Sequence, residues 1–209
     1  MLSAVTYGKP YLMATSSKIA DAKCFLDKTL WVIIRAYTPV GMVDPNLKHN
    51  INALNDGGAI WEPYMMPCFK CGNPKKQIKD MKVALAPWNG QVPVYVVPSS
   101  WGTNIEENRK FMTELIDELT ADGTFSAAVV TSIAFYEKTF GKDWGEFSRV
   151  PLVYIGTNND PSCNDFRPFG GWKESSEKMY SLNQDVCGVV ADYIGLCHAR
   201  IANYANAVN

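Results

Sequence analysis

Residues 29 to 37, TLWVIIRAY, decide how the chain folds. The run is short, apolar and rich in β-branched and aromatic residues, which pack well on a pleated surface and crowd a helix. It predicts a buried strand. Just downstream, Asp44 and Pro45 read as a helix N-cap and N1 proline. Leu47, Ile51 and Leu54 then form an apolar stripe, and Gly57-Gly58 closes the helix. A strand followed at once by an amphipathic helix is the repeating unit of a parallel sheet.

The same unit recurs on both sides. Upstream, YLMAT (11–15) is a short apolar strand, followed by Ser16 and Ser17 as candidate N-caps and by Ile19, Ala22 and Leu26 at helical spacing. Downstream, AIWEPYMMP (59–67) is a third strand, Asn73-Pro74 opens a helix through Leu85, and VPVYVV (92–97) is a fourth strand. Thr103-x-x-Glu106 is a capping box before a helix with Phe111, Met112, Leu115, Ile116 and Leu119 on one side, and FSAAVVTS (125–132) is a fifth strand. Beyond residue 140 the rhythm changes. VPLVYIGT (150–157) and EKMYSLNQD (177–185) are strand-like, separated by the polar, Gly- and Pro-rich NNDPSCNDFRPFGGWKE. The expectation is a single α/β domain over 1–209: an irregular TIM-like (β/α) barrel, five β-α units followed by antiparallel strands. Ile194, Cys197, Ile201, Tyr204 and Val208 add an amphipathic C-terminal helix over about 194–208.

Composition narrows the partners. The chain has 209 residues with 20 basic and 21 acidic ones, so nothing favours a polyanion, and nucleic acid is not expected. No apolar run is long enough for a membrane span. The opening MLSAVTYGKP has neither a charged n-region nor an apolar h-region, so no signal peptide is expected in the chain as given. Six cysteines, Cys24, Cys68, Cys71, Cys163, Cys187 and Cys197, are disulfide candidates and suit an oxidising compartment, extracellular or vesicular. Cys68-x-x-Cys71 has no second ligand pair, so a local disulfide or two buried thiols fits better than zinc, and neither metal nor cofactor is expected.

Four segments, IIRAYTPVGMVDPN, YMMPCFKCGNPKKQ, DFRPFGGW and MYSLNQDVCG with the following VVADY, resemble the protist and nematode lysozymes of glycoside hydrolase family 25. The resemblance spans roughly residues 7 to 195. It implies an irregular barrel, makes Cys24, Cys68, Cys71 and Cys187 family cysteines, and leaves Cys163 and Cys197 as additions. It also implies an Asp-x-Glu pair at the end of the fourth strand and an Asp at the end of the first. Val94 and Val96 stand at the former, and the latter falls at or near Leu12. No Asp or Glu occurs between Asp80 and Glu106. The fourth family carboxylate corresponds to Asp192, after the last strand, and Glu62 lies near the end of the third.

Glycoside hydrolysis ordinarily needs two carboxyls across the scissile bond. Leu12, Glu62, Val94, Val96 and Asp192 therefore read as a vestigial cleft, and the expectation is a catalytically inactive, non-enzymatic lysozyme-like protein with a structural, self-assembly or storage role. Two alternatives stand beside it. One is a peptidoglycan- or chitin-binding module using Trp101, Tyr154, Trp172 and Tyr180 as sugar platforms, and the other a muramidase using Glu62 and Asp192 as displaced acids. The weakly charged C-terminal helix could cover a second copy in a homo-oligomer.

Overall fold

A computed structural model describes residues 12–29, 31–86, 88, 90–95 and 101–197. Five β-α units come first. They are β1 (Leu12–Thr15) with α1 (Ala22–Leu26), β2 (Trp31–Tyr37) with α2 (Leu47–Asp56), β3 (Ile60–Met65) with α3 (Pro74–Leu85), β4 (Gly90–Tyr95) with α4 (Ile105–Thr120), and β5 (Phe125–Thr131) with α5 (Ile133–Phe140). Strands β6 (Leu152–Ile155), β7 (Glu177–Val186) and β8 (Val189–Leu196) complete the sheet. The result is a mixed α/β fold whose sheet curls until β8 meets β1.

The end of the chain departs from expectation in two ways. Strands β6 and β7 are parallel to each other and to β5, and β8 alone runs antiparallel, pairing with both β7 and β1. The polar stretch between Ile155 and Glu177 is long enough for a crossover without a helix, so no reversal is forced there. The reversal comes at Cys187-Gly188, where both residues have positive φ, as a tight two-residue hairpin turn requires. The second departure is the tail: Ile194 to Leu196 belong to β8, so a helix does not begin at 194. A strand buried on both faces carries apolar residues close enough together to imitate helical spacing. The remainder of that proposed helix lies outside the described residues.

Helix starts also shift. The cap of α1 is Asp21, whose carboxylate accepts from the Cys24 amide, rather than Ser16 or Ser17. The cap position of α2 is Asn46, which makes no side-chain cap bond; Asp44 lies two residues earlier, where its carboxylate accepts from the Asn46 amide at 2.8 Å and from the Arg35 Nε at 2.6 Å. Asn104, not Thr103, caps α4 by accepting from Glu106 and Glu107. Asn73 caps α3 as the Asn-Pro pair predicts.

Two cores result. The larger joins the outer face of the sheet to the helices through Val32, Ile34, Met65, Val92, Val129, Leu54, Met81 and Leu115. The smaller fills the barrel interior with Leu12, Ala14, Ile33, Tyr64, Val130, Val153, Met179 and Ile194. Following strand register inward, these side chains stack in layers drawn from alternate strands. Leu12, Glu62, Ala128 and Glu177 form a layer near the N-terminal end of the strands. Ile33, Val153 and Ile194 lie above it, then Ala14, Tyr64, Val130 and Met179, and finally Arg35, Ile155 and Asp192 at the mouth.

All six cysteines are paired. Cys24–Cys187 ties α1 to the β7–β8 turn, Cys163–Cys197 ties the polar loop to the end of β8, and Cys68–Cys71 closes the short turn after β3. The C-x-x-C pair is thus a local disulfide.

Candidate functional site

Parallel strands aim their C-terminal ends at one face, and sites on barrels collect there. Here that face carries a polar cluster around Tyr64, the last inward residue of β3. Its hydroxyl is hydrogen-bonded to the Ser16 side chain, and Arg35, Asp44 and Asp192 all act on it electrostatically. Burial is the main cause that pushes the phenol above its ordinary range, so Tyr64 stays a neutral donor and acceptor.

Asp192 is the carboxyl at the mouth. It sits in the middle of β8 opposite Ala14, not after the last strand. The Asn183 amide donates to its Oδ1 at 2.9 Å, and Asn183 reaches that position with φ of 55° in an irregular stretch of β7. Removal from water raises the Asp192 pKa, partly offset by that amide bond. Asp192 therefore gives up its proton at higher pH than a solvated aspartate does. Asp44, which like Asp192 acts on Tyr64, is almost fully buried and ion-paired with Arg35, whose side chain is 23% exposed. The mouth thus holds two carboxyls in different settings, one solvated poorly and one matched by a cation. Thr15, at the end of β1, donates from Oγ1 to Val190 O at 2.7 Å and accepts from the Ser17 amide, fixing the strand ends around the cluster.

Glu62 does not join this site. Its register puts it in the same layer as Glu177, two apolar layers beneath Asp192. Its pKa rises to about 8, chiefly from burial and then from the Glu177 charge. Pairing Glu62 with Asp192 as displaced acids fails for that reason. Leu12 lies in that same lower layer, at the start of β1 rather than its end. Val94 pairs with Met65 and Val129 through the backbone, and Val96 lies outside the described residues.

The expected sugar platforms separate similarly. Trp101 is buried against Phe111 and Phe140, and Trp172 is buried with its Nε1 donating to Val150 O at 2.8 Å, so both are core residues. Tyr154 packs edge-on against Phe166. Tyr180 remains partly exposed and lies 6.1 Å from Tyr193, the neighbour of Asp192. Tyr193 packs on the outer core, across β8 from Asp192, so this tyrosine pair lies outside the mouth cluster.

Sequence reasoning overlooked Tyr64, Arg35, Asp44 and Ser16. Arg35 and Asp44 were visible as the charged residues of IIRAYTPVGMVDPN, where an Arg inside a buried strand asks for an acid nearby. Tyr64 gave no signal beyond its strand.

A sheet curled until β8 meets β1, with a carboxyl and an aromatic residue at the end where its parallel strands finish, defines an α/β barrel-like protein with its candidate site where such folds keep theirs. Comparison with known proteins narrows this. A family model described as Lysozyme-like protein 1 matches residues 6–180. The "Probable GH family 25 lysozyme 2" of Dictyostelium discoideum is 35% identical over 166 residues, covering 78% of this chain and 77% of that protein. The "Probable GH family 25 lysozyme 4" of the same organism is 31% identical over 186 residues, covering 87% and 86%. The bacterial lysozyme structure from Streptomyces coelicolor shares the fold with a TM-score of 0.76 at 16% identity, covering 98% of this chain and all of that one. The chain belongs to the glycoside hydrolase family 25 lysozyme-like family. That finding corrects the expectation of a non-enzyme, because the relatives are named as lysozymes and the family is an enzyme family.

Proposed function

We propose that the protein cleaves an N-acetylated cell-wall glycan, of the peptidoglycan or chitin type, laid across the C-terminal mouth, with Asp192 as the proton donor. The observation that carries this reading is the position of Asp192: inside the rim and short of water, where burial raises its pKa against the opposing effect of the Asn183 amide bond that orients it. A protonated carboxyl there can deliver its proton to the glycosidic oxygen as the bond to C1 breaks. The reaction also needs a nucleophile. Asp44 is committed to Arg35 and Glu62 lies two layers below, so the substrate's own acetamido oxygen attacks C1, and water then opens the cyclic intermediate with Asp192 returning as base. Tyr64 and Arg35 orient the sugar at the mouth.

The test compares reducing-end release from N-acetylated and de-N-acetylated oligosaccharides. Cleavage of the first alone, lost at least 100-fold in Asp192→Asn, supports the mechanism. Equal cleavage of both, or an unimpaired variant, refutes it. A second reading, binding without cleavage, is favoured by the single carboxyl in the mouth that is not ion-paired, among the described residues. Saturable binding with no product would establish it. Three disulfides support an extracellular or secretory setting for either reading.

A further inference from the structure

The barrel interior contains a second pair of carboxyls that the proposed chemistry leaves unused. Glu62 on β3 and Glu177 on β7 come from opposite sides of the barrel and share one layer with Leu12 and Ala128. Above them lie Ile33, Val153 and Ile194, and towards the strand starts lie Trp31 and Leu196. Among the described side chains no cation faces them from β1, β2, β5, β6 or β8. Lys178, the neighbour of Glu177, projects to the other side of the sheet, where its Nζ donates to Asp165 at 2.7 Å and Ser162 O at 2.9 Å. Tyr64, the nearest titratable group above, faces the mouth cluster.

We propose that Glu62 and Glu177 form a proton-holding pair that makes the barrel most stable in acid and loosens it progressively toward neutral pH. Two carboxylates in one apolar layer, with no cation among the described side chains facing them, repel each other and lack hydration, so the native barrel retains protons that the unfolded chain releases. The causes agree with the geometry. Burial raises Glu177 to about 7, and burial with the Glu177 charge raises Glu62 to about 8. The two protons belong to the pair rather than to either residue. Both native values lie above the ordinary value of 4.5, so the stabilisation is complete below about pH 4.5 and lost as pH rises towards 8.

Thermal unfolding of the full chain between pH 4.5 and 8 tests this, with Glu62→Gln, Glu177→Gln and the double variant, each replacing a protonated carboxyl by a neutral group of the same shape. The wild type is expected to lose on the order of 10 °C in Tm across that window. Either single substitution removes about half of the slope, and the double variant gains on the wild type as pH rises. Parallel curves for all four proteins would overturn the proposal. Infrared spectra of the native wild type at pH 6 give a second check, should a variant fail to fold. A protonated-carboxyl band that disappears by pH 9 is expected, and its absence at pH 6 would be equally fatal.

Discussion

Replacing Cys24 and Cys187 together with alanine should be the most damaging disulfide deletion in this protein. The bridge joins residues 163 apart in sequence, whereas Cys163–Cys197 spans 34 and Cys68–Cys71 spans 3. In the chain-entropy description, closing loops of these lengths restricts the unfolded chain by about 5, about 4 and about 2 kcal/mol respectively. The packing around the first bridge adds to its effect, because it pins the short helix α1 beside the turn that brings β8 back to β1. A single domain has only about 5–15 kcal/mol of stability, so this loss threatens folding at 37 °C. The assay is urea unfolding of each double-alanine variant under non-reducing conditions, followed by tryptophan fluorescence and far-UV circular dichroism, with m-values compared. The expected order of destabilisation is Cys24/Cys187, then Cys163/Cys197, then Cys68/Cys71. A Cys24/Cys187 variant within about 1 kcal/mol of the wild type, or an inverted order at constant m, would refute the reasoning.

Other substitutions probe buried polar anchors. Asp165→Asn leaves the Lys178 ammonium, fully buried on the outer side of β7, with only the Ser162 carbonyl, and should cost about 3 kcal/mol in denaturant unfolding. Asn108→Ala removes the side chain that accepts from the Gly102 amide and donates to Gly102 O and Thr139 O, and should cost about 2–3 kcal/mol. Tyr64→Phe keeps the ring and removes the hydroxyl held by Ser16, so melting temperature should change little while glycan turnover falls about tenfold. An unchanged turnover rate in that variant would remove Tyr64 from the site.

The regular part of the fold was legible because each βα unit carries its own local signals. TLWVIIRAY could hardly be anything but a buried strand, and Asn73-Pro74 capped α3 where its turn chemistry said it would. The last strand was not legible. Val189 to Leu196 is covered on one side by the outer core and on the other by the interior, so its apolar pattern has no clean period of two. Sites suffered from the same limit at longer range. Glu62 and Asp192 looked equivalent as acids near strand ends, but the register that separates them by two layers depends on pairings across four strands. Arg35 and Asp44 lie nine residues apart and still escaped notice as a pair, since Asp44 before a proline reads locally as a helix cap. Trp101 and Trp172 show how ambiguous an aromatic is in sequence: the same ring that stacks on a sugar also fills a core.

The most direct test of the account is digestion of purified bacterial cell walls, with soluble muropeptides measured against an active family 25 lysozyme and the sedimented protein recorded in the same tubes. The account predicts release by the wild type and its loss in Asp192→Asn, while both proteins still pellet with the walls. No release by a folded wild-type protein would contradict it, whether or not that protein remained bound.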